Sequence, residues 1–262
     1  MIHTVQPKPL LQLTNVEQSF TVDGKKIRVL KQIDLVIEKH SFNIIYGQSG
    51  SGKSTLLNII TGLQPPSAGT VTFDGQDMYN LSSDQVAYFR SNKIGIVYQQ
   101  NFWVRSLNVV DNVAMPLFTA GYSRSRARRR ALVCLDSVGM KSYAKKSPTF
   151  LSSGEQQRIA MARALVNDPD CIVADEPTGN LDTENGTMIM TLLQKYQEVL
   201  GKTIILVTHN IEYIALADHL LHVQDGRLAD TGNDDDILTT ANELFHDMKV
   251  RIEKQVKEKH RG

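Results

Sequence analysis

One nine-residue run, GQSGSGKST at residues 47–55, constrains this chain more than any other feature in it. The apolar stretch SFNIIY stands before it, and KSTLLNIITGL follows with apolar residues at helical spacing and a stop at Gly62. Strand, glycine-rich loop and helix form the context in which G-x-x-x-x-G-K-[ST] cradles phosphate, because glycines let successive amides wrap phosphate oxygens with no Cβ in the way. Gly47, Gln48, Ser49, Gly50, Ser51 and Gly52 would supply that backbone. Lys53 would meet the β- and γ-phosphates, the Ser54 hydroxyl would ligate Mg²⁺, and Thr55 would reach the α-phosphate region. An ordinary Gly/Ser turn is the competing reading, and the flanking strand and helix weigh against it.

CIVADEP, at residues 171–177, supplies the complementary half of a nucleotide site: an apolar strand that ends in two carboxylates. At such a strand end Asp175 would hold the metal's hydration shell and Glu176 would polarise an attacking water. Alone, an Asp-Glu pair after a strand is more often a solvated strand end; downstream of the loop at 47–55 it becomes half of a pair.

A third stretch, TFLSSGEQQRIAMARAL at residues 149–165, reads as a helix start. Ser152 followed three residues later by Glu155, ahead of an apolar-periodic run, is a capping box: the Ser152 side chain accepts from a first-turn amide while Glu155 reaches back to the Ser152 N–H. That reading needs no function. A helix start with small residues such as Ser153 and Gly154 also presents amides and a positive dipole end, so it can meet an anion.

The remaining chain has an α/β texture. LLQLTNVEQSF and KKIRVLKQIDLVIEK alternate like an antiparallel strand pair broken at Asp23-Gly24, and TVTFDGQDM reads as a further strand and turn. From about residue 80 to 166 the apolar spacing is mostly helical, which suggests a helical subdomain inserted into an α/β core. TIILVTH is another buried strand, HLLHVQDGRLADTG a hairpin turning at Asp225-Gly226, and the polar tail carries a stripe of Leu244, Met248, Ile252 and Val256. With 29 Lys and Arg against 28 Asp and Glu, the 262 residues carry a net charge of +1, so no global field recruits nucleic acid or an anionic membrane. The basic run RSRARRR at 124–130 reads as a solvated helix face, and Cys134 and Cys171 as buried thiols of a reducing compartment. No signal-peptide pattern opens the chain and no apolar run approaches the ~20 residues of a bilayer span. The expectation is a cytosolic chain that reaches a membrane only through a partner.

The order of these elements closely resembles the ATP-binding subunit of ABC transporters. The loop at 47–55 is followed by Gln99 at the end of the strand-like KIGIVYQ, then LSSGEQQR, DEP, the turn Asn180-Leu181-Asp182, and His209 after TIILVT. The resemblance covers roughly residues 10 to 235, and NVVDNVAMPL with ADEPTGNLD looks most like the subgroup of lipoprotein release, macrolide export and the cell-division septum complex. It implies a P-loop NTPase core with an N-terminal antiparallel β subdomain and an inserted helical subdomain. The expected segments are 10–79, 80–166 and 167–235, with a helical tail at 236–262, all within one ABC transporter domain.

The resemblance also assigns roles. Gln99 would touch Mg²⁺ and the water and link the site to the helical subdomain; His209 would contact the γ-phosphate; Asp182 would lie in a turn that crosses a dimer interface. Phe20 stands where the family stacks an aromatic on adenine, with a core-packed strand residue as its alternative. LSSGEQQR is similar to the family signature, usually Leu-Ser-Gly-Gly-Gln, so Ser152, Ser153, Gly154 and Glu155 would close over the γ-phosphate held by a second, head-to-tail subunit. Two positions depart from the signature, Ser153 for Gly and Glu155 for Gln, and outside it His40-Ser41 stands where the family turns with Gly-Glu. The implied function is a Mg²⁺-dependent ATPase, peripheral on the cytoplasmic face of a cell membrane, that powers a separate integral-membrane permease. The same dimer switch gating a membrane partner without transport is the alternative. A DNA-associated member of the family is disfavoured, because no long coiled-coil insertion separates the P-loop from the signature.

Overall fold

The computed structural model describes residues 9–229. The tail stripe from Leu244 to Val256 and the segment 236–262 therefore lie outside the described residues. The described residues begin with β1 (Pro9–Val22) and β2 (Lys25–Glu38), joined at Asp23-Gly24 with φ of 50° and 75°. Positive φ at both central residues is the hairpin geometry whose twist matches the strands, which is why Asp-Gly stands there. Next come β3 (Phe42–Tyr46), α1 (Lys53–Ile60), β4 (Ala68–Phe73) and β5 (Gln76–Asp77). After them run α2 (Ser83–Lys93), β6 (Ile94–Val97), α3 (Val109–Thr119), α4 (Arg124–Ser137) and α5 (Ser153–Leu165). The described chain closes with β7 (Cys171–Asp175), α6 (Thr183–Glu198), β8 (Thr203–Val207), β9 (His219–Gln224) and β10 (Arg227–Leu228).

Two sheets form. The antiparallel one has the order β2-β1-β4-β5; the other, β10-β9-β3-β8-β7-β6, is parallel except for β10. Its central strands are buried on both faces, and their side chains divide by strict alternation. Ile44, Ile172 and Leu206 join the core formed with α3 to α6, while Ile45, Val173 and Ile205 join the core formed with α1 and the antiparallel sheet. The carboxyl ends of β3, β7 and β8 lie side by side, so the residues that follow them converge, as in other open parallel sheets.

The interval expected as helical, 80–166, contains one strand that returns to the core sheet: β6 pairs with β7 at the edge of the parallel sheet. Helices alone occupy the stretch from α3 to α5. α5 ties the two parts together, for a Cβ on Gly95 of β6 would stand 2.3 Å from the Ala164 carbonyl oxygen. The basic run forms the exposed face expected of it, with one addition. Arg128 on α4 makes a bidentate bond to Asp111 in the first turn of α3, at 2.6 and 2.7 Å. At the departure His40-Ser41, His40 takes φ 65°, donates its N–H to Thr203 Oγ1 at 2.8 Å and sets Nδ1 against the Gly201 carbonyl. These contacts offset a left-handed conformation costing about 1–2 kcal/mol in a residue with a Cβ. Among the described residues no helix is long and apolar enough to cross a membrane.

Candidate functional site

The loop after β3 is shaped by close approach. Gly47 has φ 151°, and a Cβ there would lie 2.1 Å from the Val223 carbonyl oxygen of β9. Gly52, at φ 109°, is the N-cap of α1, and no side chain caps that helix. The first-turn amides of α1 are thus left for an external acceptor, at the positive end of the helix dipole. Lys53 folds back along the loop, its Nζ donating to the Gly47 and Gln48 carbonyls at 2.8 Å each.

A cleft of about 540 Å³ opens in front of this loop. Ser49, Gly50, Lys53, Ser54 and Thr55 form one wall; Gln99, Asp175, Glu176 and His209 form the other. Gln48 and Ser51 instead line the reverse side of the loop, toward the β9–β10 hairpin. There the Ser51 carbonyl accepts the Gly226 N–H at 3.0 Å.

Burial, and next the charge of Glu176, push the Asp175 carboxyl above its ordinary range, and Lys53 partly opposes them. A carboxylate held in that situation favours an added cation. Glu176 sits at φ 45°, a strained backbone for a residue with a Cβ, of the kind that clusters at functional sites. Its N–H donates to Val207 O at 2.9 Å, and its Oε1 lies 2.8 Å from His209 Nδ1. The carboxylate is mostly covered, with 18% of its side chain exposed against 71% for His209, so the imidazole reaches it from the solvent side. Among the described residues no group of three or more His, Cys, Asp or Glu is placed to hold a metal ion.

Gln99 is packed from behind: a Cβ on Gly179, in the turn after Glu176, would lie 2.7 Å from Gln99 Nε2. The segment around it is latched to α5. Gln157 Nε2 donates to Tyr98 O at 3.2 Å, Asn101 Nδ2 to Gln157 Oε1 at 2.9 Å, and Trp103 Nε1 to Gln156 Oε1 at 2.7 Å.

The start of α5 is the capping box expected from the sequence. Ser152 Oγ accepts the Glu155 N–H at 3.3 Å, and Glu155 Oε2 accepts the Ser152 N–H at 2.9 Å. The Ser152 backbone bond, helped by Tyr143 and the Ser152 hydroxyl, holds the Glu155 carboxyl below its ordinary range. Ser153 is the first helical residue and has no positive φ, so its backbone does not require Gly. None of residues 152–155 lines the cleft.

Asp182 is likewise outside the cleft; it caps α6, accepting the Asn185 N–H at 2.8 Å. Phe20 is neither core-packed nor in the cleft: it is 38% exposed on β1, opposite Ile27. The apolar side chains that line the cleft are Val207, at the end of β8, and Val29, two positions along β2 from Ile27, and nothing in the strand pattern marked Val29. The contact of Tyr143 with Glu155 and the approach of Asn185 to Gly154 were equally silent, because each joins segments separated in sequence.

The ABC transporter family model matches residues 30–179. The chain belongs to the ABC transporter family. It is 36% identical over 224 residues to the lipoprotein-releasing system ATP-binding protein LolD of Buchnera aphidicola, an alignment covering 86% of this chain and 98% of that one. It is 37% identical to the macrolide export ATP-binding/permease protein MacB of Mannheimia succiniciproducens, over 89% of this chain but 36% of the longer relative. Among solved structures it resembles the dimeric post-hydrolysis state of the ATP-binding cassette MJ0796 bound to ADP and Pi. The TM-score is 0.78 at 38% identity, covering 84% of this chain and 97% of that one. The fold of this ABC ATPase is accordingly the α/β cassette.

Proposed function

We propose that this ABC ATPase pairs head to tail with a second copy around two ATP molecules and powers a separate integral-membrane permease of the lipoprotein-release or macrolide-export kind. One observation carries the reading. Within a single chain the phosphate loop, Asp175, Glu176, Gln99 and His209 converge on one cleft, while the capped turn at 152–155 and Asp182 contribute nothing to it. Both become useful when a second copy brings its own turn to the open side. The relative MJ0796 being dimeric with ADP and Pi supports this arrangement. Residues 10–235 then act as one domain, docked on the cytoplasmic face of the membrane through the permease.

The loop amides and Lys53 bind the phosphates, and Phe20 covers the base from the edge of the β1–β2 hairpin. Ser54, Gln99 and Asp175 would hold Mg²⁺, which when bound neutralises phosphate charge. Glu176, fixed by its strained backbone, orients the attacking water in line with the γ-phosphate. His209 holds Glu176 by its Nδ1 and turns toward the phosphate when ATP is present. Glu176→Gln keeps the shape but loses the carboxylate. ATP binding should persist while turnover falls at least about 10²-fold in a phosphate-release assay; near-normal turnover would remove Glu176 from this role.

A further inference from the structure

The starts of α5 and α6 meet along a seam at Gly154. A Cβ added there would lie 2.3 Å from Asn185 Oδ1 and 2.5 Å from its Cγ. Gly154 is buried inside α5 and has no positive φ, so conformational freedom does not explain a glycine at this position. Asn185 cannot swing aside without loss. Its Nδ2 donates to both carboxylate oxygens of Asp182, at 3.0 and 2.9 Å, and its N–H donates to Asp182 Oδ1 at 2.8 Å. One turn further along, Arg158 Nη1 of α5 stands 3.0 Å from Met188 Sδ of α6.

We infer that Asn185 is a positioning residue that fixes the Asp182 turn against the turn at 152–155, so that the two move as one body. Asn185 is a short side chain clamped between the cap of its own helix and the backbone of the neighbouring helix start. The consequence rests on the dimer reading above: one turn reaches across to the second copy and the other closes on the phosphate held by that copy. Both contacts are then made or lost together. Gly154 is required by Asn185 of its own chain, independently of any need for a phosphate to approach.

A double-mutant cycle on full-length protein tests this. Gly154→Ala pushes a methyl into Asn185 and should lower kcat about tenfold or more. Asn185→Ala alone, which frees the two turns from each other, should lower kcat about threefold, and the double variant should recover at least about threefold over Gly154→Ala. KM for ATP should stay within about twofold throughout, because the cleft is untouched. Thermal melting and ATP binding by the monomer check folding. Asn185→Ser, which also withdraws the amide from Gly154, is the second route to rescue if alanine unfolds the chain. Absence of rescue by either substitution, or a Gly154→Ala protein with normal kcat, overturns the inference. Glu176→Gln run in parallel separates the two ideas. A dimer in ATP without rescue sinks only the role of Asn185, whereas a chain that stays monomeric sinks the dimer reading and this inference with it.

Discussion

Two helix starts in this molecule look alike in sequence and differ in what they leave unfilled. α1 begins at Gly52 with no side-chain cap, whereas α5 begins at Ser152 with both halves of a capping box in place. The first keeps its donors for a ligand and has Lys53 beside them. The second has satisfied part of its donor set from its own chain and carries the Glu155 carboxylate at the turn. On the proposed function α1 would hold phosphate by itself, and α5 would add a weaker contact on closure. A third start, that of α3, shows an acid given over wholly to folding, for Asp111 in its first turn is spent on Arg128.

The largest expected effect breaks the stronger site. Lys53→Ala removes the cation from the α1 loop, and kcat/KM for ATP should fall at least about 10²-fold, with nucleotide binding lost in a fluorescence titration. Binding at wild-type strength would mean that the loop does not hold phosphate. Ser152→Ala addresses the weaker site. It removes a cap and should cost about 1 kcal/mol of stability in denaturant melts. Binding of ATP to the monomer should be unchanged while turnover drops several-fold, and an equal loss of monomer binding would erase the distinction between the two starts. Ser153→Gly should change turnover by less than about threefold, since Ser153 occupies a helical backbone that any residue adopts. A large acceleration would show its side chain crowding the phosphate.

The smallest effect concerns α3. The Arg128 hydrogen bond holds the Asp111 carboxyl below its ordinary range. A depressed folded-state pKa stabilises above the unfolded carboxylate range and is lost as pH falls through the folded value. Arg128→Ala should therefore lower Tm at neutral pH, with the difference shrinking on acidification; a Tm deficit that grows in acid would contradict the pairing.

How legible all this was depended on sequence distance. The hairpin at Asp23-Gly24, the phosphate loop, the Asp175-Glu176 strand end and the Ser152–Glu155 cap were readable because a few neighbouring residues settle each. KIGIVYQ showed its strand character, yet its place at the edge of the parallel sheet, inside an otherwise helical interval, comes from long-range pairing with β7. Val29 in the cleft, Tyr143 on Glu155 and Asn185 against Gly154 gave no local signal, because each depends on how two distant segments approach. Phe20 carried two readings, core and base contact, and its exposure removes the first.

Sedimentation of the Glu176→Gln protein, with and without ATP, tests most directly the claim that the cleft of one chain is completed by the α5 turn of another. The account predicts a monomer without nucleotide and, with ATP, a dimer holding two nucleotides that Ser152→Ala weakens. A chain that saturates with ATP and stays monomeric at every protein concentration would contradict it.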